Sequence, residues 1–254
     1  MGATNGASGR LAGRRALITG ASSGAGQTTA EVFALEGAQV ALLASRPEPL
    51  EAVANGIGDA AVAVAADIGD ADQVARAVAT AIDAMGGLDV VVNCAAIAMG
   101  GTIEETTPER WRRTLDVNLS GAYYVSREAS RHMLEHGGGA IVNVASESAS
   151  MGMPYYVAYC ASKAGMVGMT RAMAVALAPT ITVNVVCPGP IDTPMLQAHF
   201  ESSPTAKEEL FARVPMNRAA SREEIARGIM YFVTDGTCAT GASLALDGGT
   251  TASI

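Results

Sequence analysis

Thr19-Gly20-Ala21-Ser22-Ser23-Gly24-Ala25-Gly26 joins a short apolar run, residues 15–19, to a helical stretch, residues 27–35. The glycine spacing G-x-x-x-G-x-G lets the turn tighten and lets main chain come close to an anion. The first N–H groups of the following helix then point at that anion. A Gly-rich turn alone is weak evidence, since an ordinary strand–helix loop can also carry one. A strand before it and a helix after it favour the pyrophosphate of a dinucleotide. Gly20, Ser22, Ser23, Gly24, Ala25 and Gly26 are the first candidate binding residues.

Outward from this turn, apolar runs of strand length recur at residues 40–43, 61–66, 88–92, 140–144, 181–186 and 243–246. Helical patterns lie between them. Val74, Val78, Ile82 and Met85 repeat at helical spacing. Pro108 opens a long stretch in which Trp111, Leu115, Ala122, Val125 and Ala129 share a stripe. Residues 155–178 and 222–233 read as two more helices. Continuous apolar strands separated by helices belong to a parallel sheet covered on both faces. The pattern predicts a single-domain α/β fold, a Rossmann-like doubly wound parallel sheet of about seven strands with helices on both faces. Residues 1–10 read as a flexible tail and residues 11–254 as the domain. The long irregular region 190–220 reads as a lid over the substrate.

Composition removes several functions. Lys plus Arg number 17 against 25 Asp plus Glu, a net charge of −8, and no basic block occurs. A reader of nucleic-acid backbone is therefore not expected. Cys94, Cys160, Cys187 and Cys238 are widely spaced and contain no C-x-x-C pair, which argues against zinc and disulfides and suits a reducing cytoplasm. His132 and His136 could share a helix face, but nothing supplies a third ligand, and no metal is expected. No apolar run is long enough to span a membrane. The Gly/Ala/Ser/Thr-rich start does not read as a signal peptide, and Gly6 stands where a myristoylation signal would be expected to have Ser or Thr.

The T-G-A-S-S-G-A-G turn resembles the cofactor turn of the short-chain dehydrogenase/reductase family in its compact single-domain form. The resemblance runs from about residue 11 to residue 249. Asp67-Ile68 matches the family's acidic residue that meets the adenine. Asn93-Cys94-Ala95-Ala96 resembles its N-N-A-G turn, with Cys94 for the second Asn and Ala96 for the Gly. Ala25 stands where the family often has Ile. Val117-Asn118-Leu119 carries the family's structural and catalytic Asn. Residues 141–146 resemble the strand that ends in the catalytic Ser146, and Tyr159-Cys160-Ala161-Ser162-Lys163 matches Y-x-A-S-K. Pro188-Gly189 matches the turn under the nicotinamide, and Asp247-Gly248-Gly249 the C-terminal D-G-G. The resemblance adds Asp67, Ile68, Asn93, Ala95, Ala96, Val117, Pro188, Gly189, Ile191 and Thr193 to the cofactor-binding candidates. It implies a catalytic set of Asn118, Ser146, Tyr159 and Lys163.

Tyr159 and Lys163 are four residues apart, so a helix places them on one face. A free Tyr has a pKa near 10, too high for a base at neutral pH, and a nearby ammonium favours the phenolate. Tyr159 is therefore expected to exchange a proton with the substrate oxygen. Ser146 is expected to hydrogen-bond the same oxygen. The family implies that Lys163 also binds the nicotinamide ribose, and that Asn118 holds a water linking Lys163 to solvent. Glu147 reads either as a solvated acid beside a strand end or as part of the substrate mouth. Ser146, Ser148, Met153, Tyr156 and Met195 are the candidate pocket residues, with Met99 and Tyr155 as further apolar candidates around it.

An acid at the end of the second strand would favour NAD. Ala44 stands there, followed by Ser45 and Arg46, which could hold a 2′-phosphate. NADP(H) is favoured over NAD(H). The resulting expectation is an NAD(P)-dependent ketone reductase or secondary-alcohol dehydrogenase acting on a small molecule, assembled as a homotetramer through the two long helices. The alternatives are a 3-oxoacyl thioester reductase in the same class, a nucleotide-binding regulatory protein without turnover, and an epimerase or dehydratase on the same scaffold. The last usually needs a longer C-terminal substrate region.

Overall fold

The computed structural model describes residues 9–193, 196–197, 200–201 and 205–252. Seven strands form one sheet: β1 (Arg15–Thr19), β2 (Gln39–Ala44), β3 (Ala61–Ala65), β4 (Val90–Asn93), β5 (Gly139–Val144), β6 (Ile181–Pro188) and β7 (Ser243–Leu246). Their order is β3-β2-β1-β4-β5-β6-β7, and every pairing is parallel. The doubly wound architecture expected from the apolar runs is the one observed. Strand order reverses between β1 and β4, which opens a crevice at their carboxyl ends.

Helices α1 (Gly24–Leu35), α2 (Pro47–Ile57), α3 (Ala71–Met85), α4 (Pro108–Leu115), α5 (Gly121–Glu135), α6 (Val157–Leu177), α7 (Ala206–Phe211) and α8 (Arg222–Thr234) cover the sheet. The strands alternate between two cores. Ile18, Leu42, Val92 and Val142 pack with Phe33, Leu50, Ile225 and Ile229 on one face. Leu17, Leu43, Val91 and Ile141 pack with Val74, Val78, Val125 and Met133 on the other. This two-sided burial is why the strands read as unbroken apolar runs rather than as alternation.

Local chemistry sets the helix ends. Asp70 caps α3 by accepting from the N–H groups of Asp72 and Gln73, and Gly86 ends it at φ 69°. Ser221 and Glu224 form a reciprocal capping box on α8.

Two sequence expectations are corrected, and one helix is added. The stretch opened by Pro108 is not one helix. A π-helical turn, Asp116–Ser120, separates α4 from α5. The extra residue shifts the buried face, so Thr114, Val117 and Asn118 are buried while Trp111 lies at the surface. α2 is a helix that the patterns read in the sequence did not mark, and it opens on Pro47. Proline is tolerated in a first helical turn, and Leu50 and Val53 are enough to seat the helix on the core. The region 190–220 is not irregular throughout, since α7 lies within it. Most of the predicted tail lies outside the described residues. Its end, Arg10, is fastened: its N–H donates to Glu36 Oε2 at 2.8 Å and its guanidinium pairs with Asp235.

Candidate active site

A cleft of about 760 Å³ opens at the strand-order reversal. The β1–α1 turn forms one wall. Gly20 (φ 69°) and Gly24 (φ 59°) occupy the left-handed region, where side chains are strained. A Cβ on Gly26 would meet Gly20 O at 2.4 Å. Only glycine lets the helix start lie against the turn. Ser23 caps α1 without a side-chain hydrogen bond, so the first N–H groups of α1 remain available at the cleft. This cradle fits a pyrophosphate. Gly26→Ala is expected to push α1 away from the turn and raise the dissociation constant of a dinucleotide about tenfold or more. Fluorescence titration checks this, and an unchanged constant would remove the turn from the binding site.

The far wall carries the reactive side chains. Ser146 follows β5 and its Oγ accepts from Ser148 N at 3.2 Å. Tyr159 and Lys163 project from the same face of α6, and Lys163 Nζ lies 5.5 Å from the Tyr159 ring centroid. Nζ donates to Val144 O at 2.7 Å. Lys163 is 1% exposed, and its ammonium still has donors to offer a ligand. Burial draws Lys163 down to about 8. Burial also pushes Tyr159 up to about 12, opposed by a hydrogen bond with Ser146. Removal of the phenolate from water dominates at Tyr159, and Lys163 is not among the influences that lower it. Tyr159 therefore stands as an acid, holding its proton at neutral pH. A half-buried Ser146–Tyr159 pair over a buried Lys163, beside an anion cradle, is an arrangement for proton transfer next to a bound dinucleotide.

A sequence profile described as short chain dehydrogenase matches residues 14–204. The chain belongs to the short-chain dehydrogenase/reductase family. It is an oxidoreductase of that family, whose members use a nicotinamide cofactor. It is similar to D-threitol dehydrogenase of Mycolicibacterium smegmatis, 35% identical over 247 residues, covering 95% of this chain and 94% of the relative. It is similar to 3-oxoacyl-[acyl-carrier-protein] reductase of Thermotoga maritima, 36% identical over 245 residues, covering 94% and 98%. A solved structure described as a short chain dehydrogenase/reductase family protein superposes with a TM-score of 0.88 at 32% identity, covering 96% of this chain and 100% of the other.

On this family scaffold most of the sequence candidates meet in the one cleft. Gly20, Ser22, Ser23, Gly24, Ala25 and Gly26 line it at the turn, and Ser45, Arg46, Asp67, Ile68 and Val117 at one end. Ala95, Ala96, Ser146, Met153, Tyr156, Tyr159, Lys163, Pro188, Gly189, Ile191 and Thr193 line the rest. Asn93, Asn118 and Ser148 lie behind the wall. Asn93 Nδ2 donates to Ser126 Oγ at 2.9 Å and Asn143 Oδ1 at 2.8 Å, tying β4 to β5 and α5. Asn118 accepts from Ile97 N at 2.8 Å, and its Nδ2 donates to Ile97 O at 2.9 Å and Ser162 Oγ at 3.1 Å. Its amide pins the loop after β4 to α6. Met195 lies outside the described residues.

Sequence reasoning missed Arg113, Leu196 and Leu210, which also line the cleft. Arg113 pairs with Asp67 at 2.9 Å. No motif marks it, because α4 reaches Asp67 only through the fold. Cys94 reaches the cleft too, but burial pushes its thiol up to about 11, so it is no nucleophile. Among the described residues no cluster of His, Cys, Asp and Glu could hold a metal, and no helix is long and apolar enough to cross a membrane.

Proposed function

We propose that this chain transfers a hydride between NADP(H) and a small ketone or secondary alcohol. The reading rests on the convergence of Ser146, Tyr159 and buried Lys163 on a cleft that also holds the glycine cradle. Bound nicotinamide would supply the hydride. In carbonyl reduction Ser146 Oγ hydrogen-bonds the substrate oxygen and fixes the carbonyl carbon. Tyr159 Oη gives that oxygen its proton. Lys163 uses its remaining donors on the cofactor ribose. Asn118 holds the loop and α6 together, and a water relay through it would have to use its main chain, since its amide is already engaged. The raised Tyr159 pKa suits the reductive direction, in which Tyr159 starts protonated.

Ser45 and exposed Arg46 stand at the cleft beyond β2, and buried Ala44 supplies no acid there. A guanidinium at that place favours a 2′-phosphate over a free hydroxyl. NADPH is expected to bind at least tenfold more tightly than NADH, and Arg46→Ala to abolish that preference while leaving NADH binding unchanged. Titration of both cofactors against both proteins, followed by a ketone screen with the tighter one, tests the reading. Tighter NADH would turn Arg46 to solvent and the screen toward alcohol oxidation. The similarity to 3-oxoacyl-[acyl-carrier-protein] reductase places a 3-oxoacyl thioester on the same screen.

Surface apolar side chains on α4, α5 and α6, among them Trp111, Tyr123, Leu134 and Val175, fit the expected homotetramer. Light scattering showing a monomer would contradict it. Four free cysteines and the acidic composition fit a cytoplasmic location.

A further inference from the structure

Arg113 reaches the cleft from α4 and takes no part in the hydride transfer. It stands at the end beyond the glycine cradle, with Ser45, Arg46, Asp67, Ile68 and Val117. A dinucleotide with its pyrophosphate on the cradle and its nicotinamide facing Ser146 has its adenine at this end. Asp67 is the acid there, and its carboxylate can only accept hydrogen bonds.

The main chain of Asp67 is already fastened. Its N–H donates to Gln73 Oε1 at 3.1 Å, and its C=O accepts from Asp70 N at 3.1 Å. What remains to be set is the twist of the carboxyl plane. Oδ1 accepts from Gly69 N at 2.9 Å, and Oδ2 lies 2.9 Å from Arg113 Nη2. Gly69 makes room for the guanidinium: a Cβ there would meet Arg113 Nη1 at 2.7 Å and Asp67 Oδ1 at 3.3 Å. The Arg113 and Asp67 side chains are 47% and 34% exposed. Two of the roughly four lone-pair positions of the carboxylate are taken, so it keeps acceptor positions that a ligand in the cleft can reach. An ion pair this exposed adds little to stability. Its effect falls on where the carboxylate points.

We propose that Arg113 is a positioning residue for the cofactor: its ion pair fixes the twist of the Asp67 carboxylate so that an open lone pair meets the 6-amino group of the adenine, and selectivity for adenine over a 6-oxo purine depends on that pair. The inference rests on the dinucleotide reading above. The 6-amino group of adenine is a donor, whereas a 6-oxo purine presents an acceptor at the same place. A carboxylate held in one plane rewards the donor with a charge-assisted hydrogen bond and repels the acceptor. A carboxylate free to turn does both less well, because ordering it must then be offset on binding.

The test is fluorescence titration with NADPH, NADH and the hypoxanthine analogue of NADPH. The proteins are the wild-type enzyme, Arg113→Leu, Arg113→Lys, Asp67→Ala and the double variant Arg113→Leu/Asp67→Ala. Wild type is expected to bind NADPH about tenfold or more tightly than the hypoxanthine analogue, the size of one hydrogen bond to a charged acceptor. Arg113→Leu should cut that ratio about threefold, the size of the coupling in an exposed ion pair, and Arg113→Lys should restore part of it. Asp67→Ala should bring the ratio near one, and adding Arg113→Leu should change it no further, because the arginine acts through the carboxylate. The NADPH-to-NADH ratio should be the same in Arg113→Leu as in wild type. An Arg113→Leu protein that loses affinity for NADPH and its analogue equally would give Arg113 a merely structural role and overturn the inference. A fall in the NADPH-to-NADH ratio would make Arg113 a partner of the 2′-phosphate and overturn it as well. Wild-type enzyme that binds NADPH and the analogue alike overturns this inference alone. Wild-type enzyme that binds none of the three overturns the dinucleotide reading and this one with it.

Discussion

Tyr159→Phe is expected to lower kcat/KM for carbonyl reduction by about 100- to 10,000-fold, the range removed with a general acid, while the dissociation constant of NADPH stays within a factor of two to three. The substitution deletes one oxygen and keeps the ring. Tyr159 packs edge-on to Tyr156 at a centroid distance of 6.3 Å, and that contact survives. The ring is half-buried and the phenol is held near 12, so Tyr159 carries its proton into the reaction and phenylalanine has none to give. Ser146 Oγ remains to polarise the carbonyl, which is why some turnover should persist. Steady-state kinetics with parallel fluorescence titration separates the outcomes. Turnover near the wild-type level would show that the proton comes from elsewhere. Loss of NADPH binding together with turnover would make Tyr159 a cofactor residue rather than an acid.

The contrast between Tyr159 and its surroundings shows what a sequence can carry. The sheet was legible because each strand is apolar on both faces, and the cradle because glycines are needed wherever main chain must touch main chain. Tyr159 and Lys163 are visible as a pair because four residues on a helix is a contact. Their protonation states were not visible. Spacing suggests that Lys163 lowers the Tyr159 pKa, but the sign depends on how much water reaches the pair, and that is a property of the folded wall. Asn93 and Asn118 show the same limit: their motif marks them, yet their amides turn away from the cleft to join β4, β5, α5 and α6. Arg113 left no signal at all, since its partner Asp67 lies 46 residues earlier and only the α4 position joins them.

Lys163→Met is expected to lower kcat/KM by about 100-fold, since it releases the end of the cleft that positions the reacting groups, and to change how stability depends on pH. In the wild-type chain Lys163 falls from 10.5 in the unfolded state to about 8 in the folded one because its ammonium is buried. Between pH 8 and 10.5 the unfolded chain keeps a proton that the folded chain has lost, so Lys163 makes stability rise with pH across that window. Below pH 8 both states are protonated and the full cost of the buried charge is present, on the order of 3 kcal/mol for such a shift. Methionine has a similar reach and no charge, so it escapes that cost, but it leaves Val144 O without its donor, a loss of about 1–3 kcal/mol. At pH 7 the two effects nearly cancel, and the variant should melt within a few degrees of wild type. As pH rises from 8 to 10 the wild-type Tm should climb relative to the variant, because only the wild type is relieved of a buried ammonium. Paired melting curves through that range measure the difference directly, and curves that stay parallel would mean that the folded chain holds Lys163 in contact with water. A variant as stable as wild type at neutral pH yet nearly inactive would show that the buried ammonium is kept for chemistry and not for the fold.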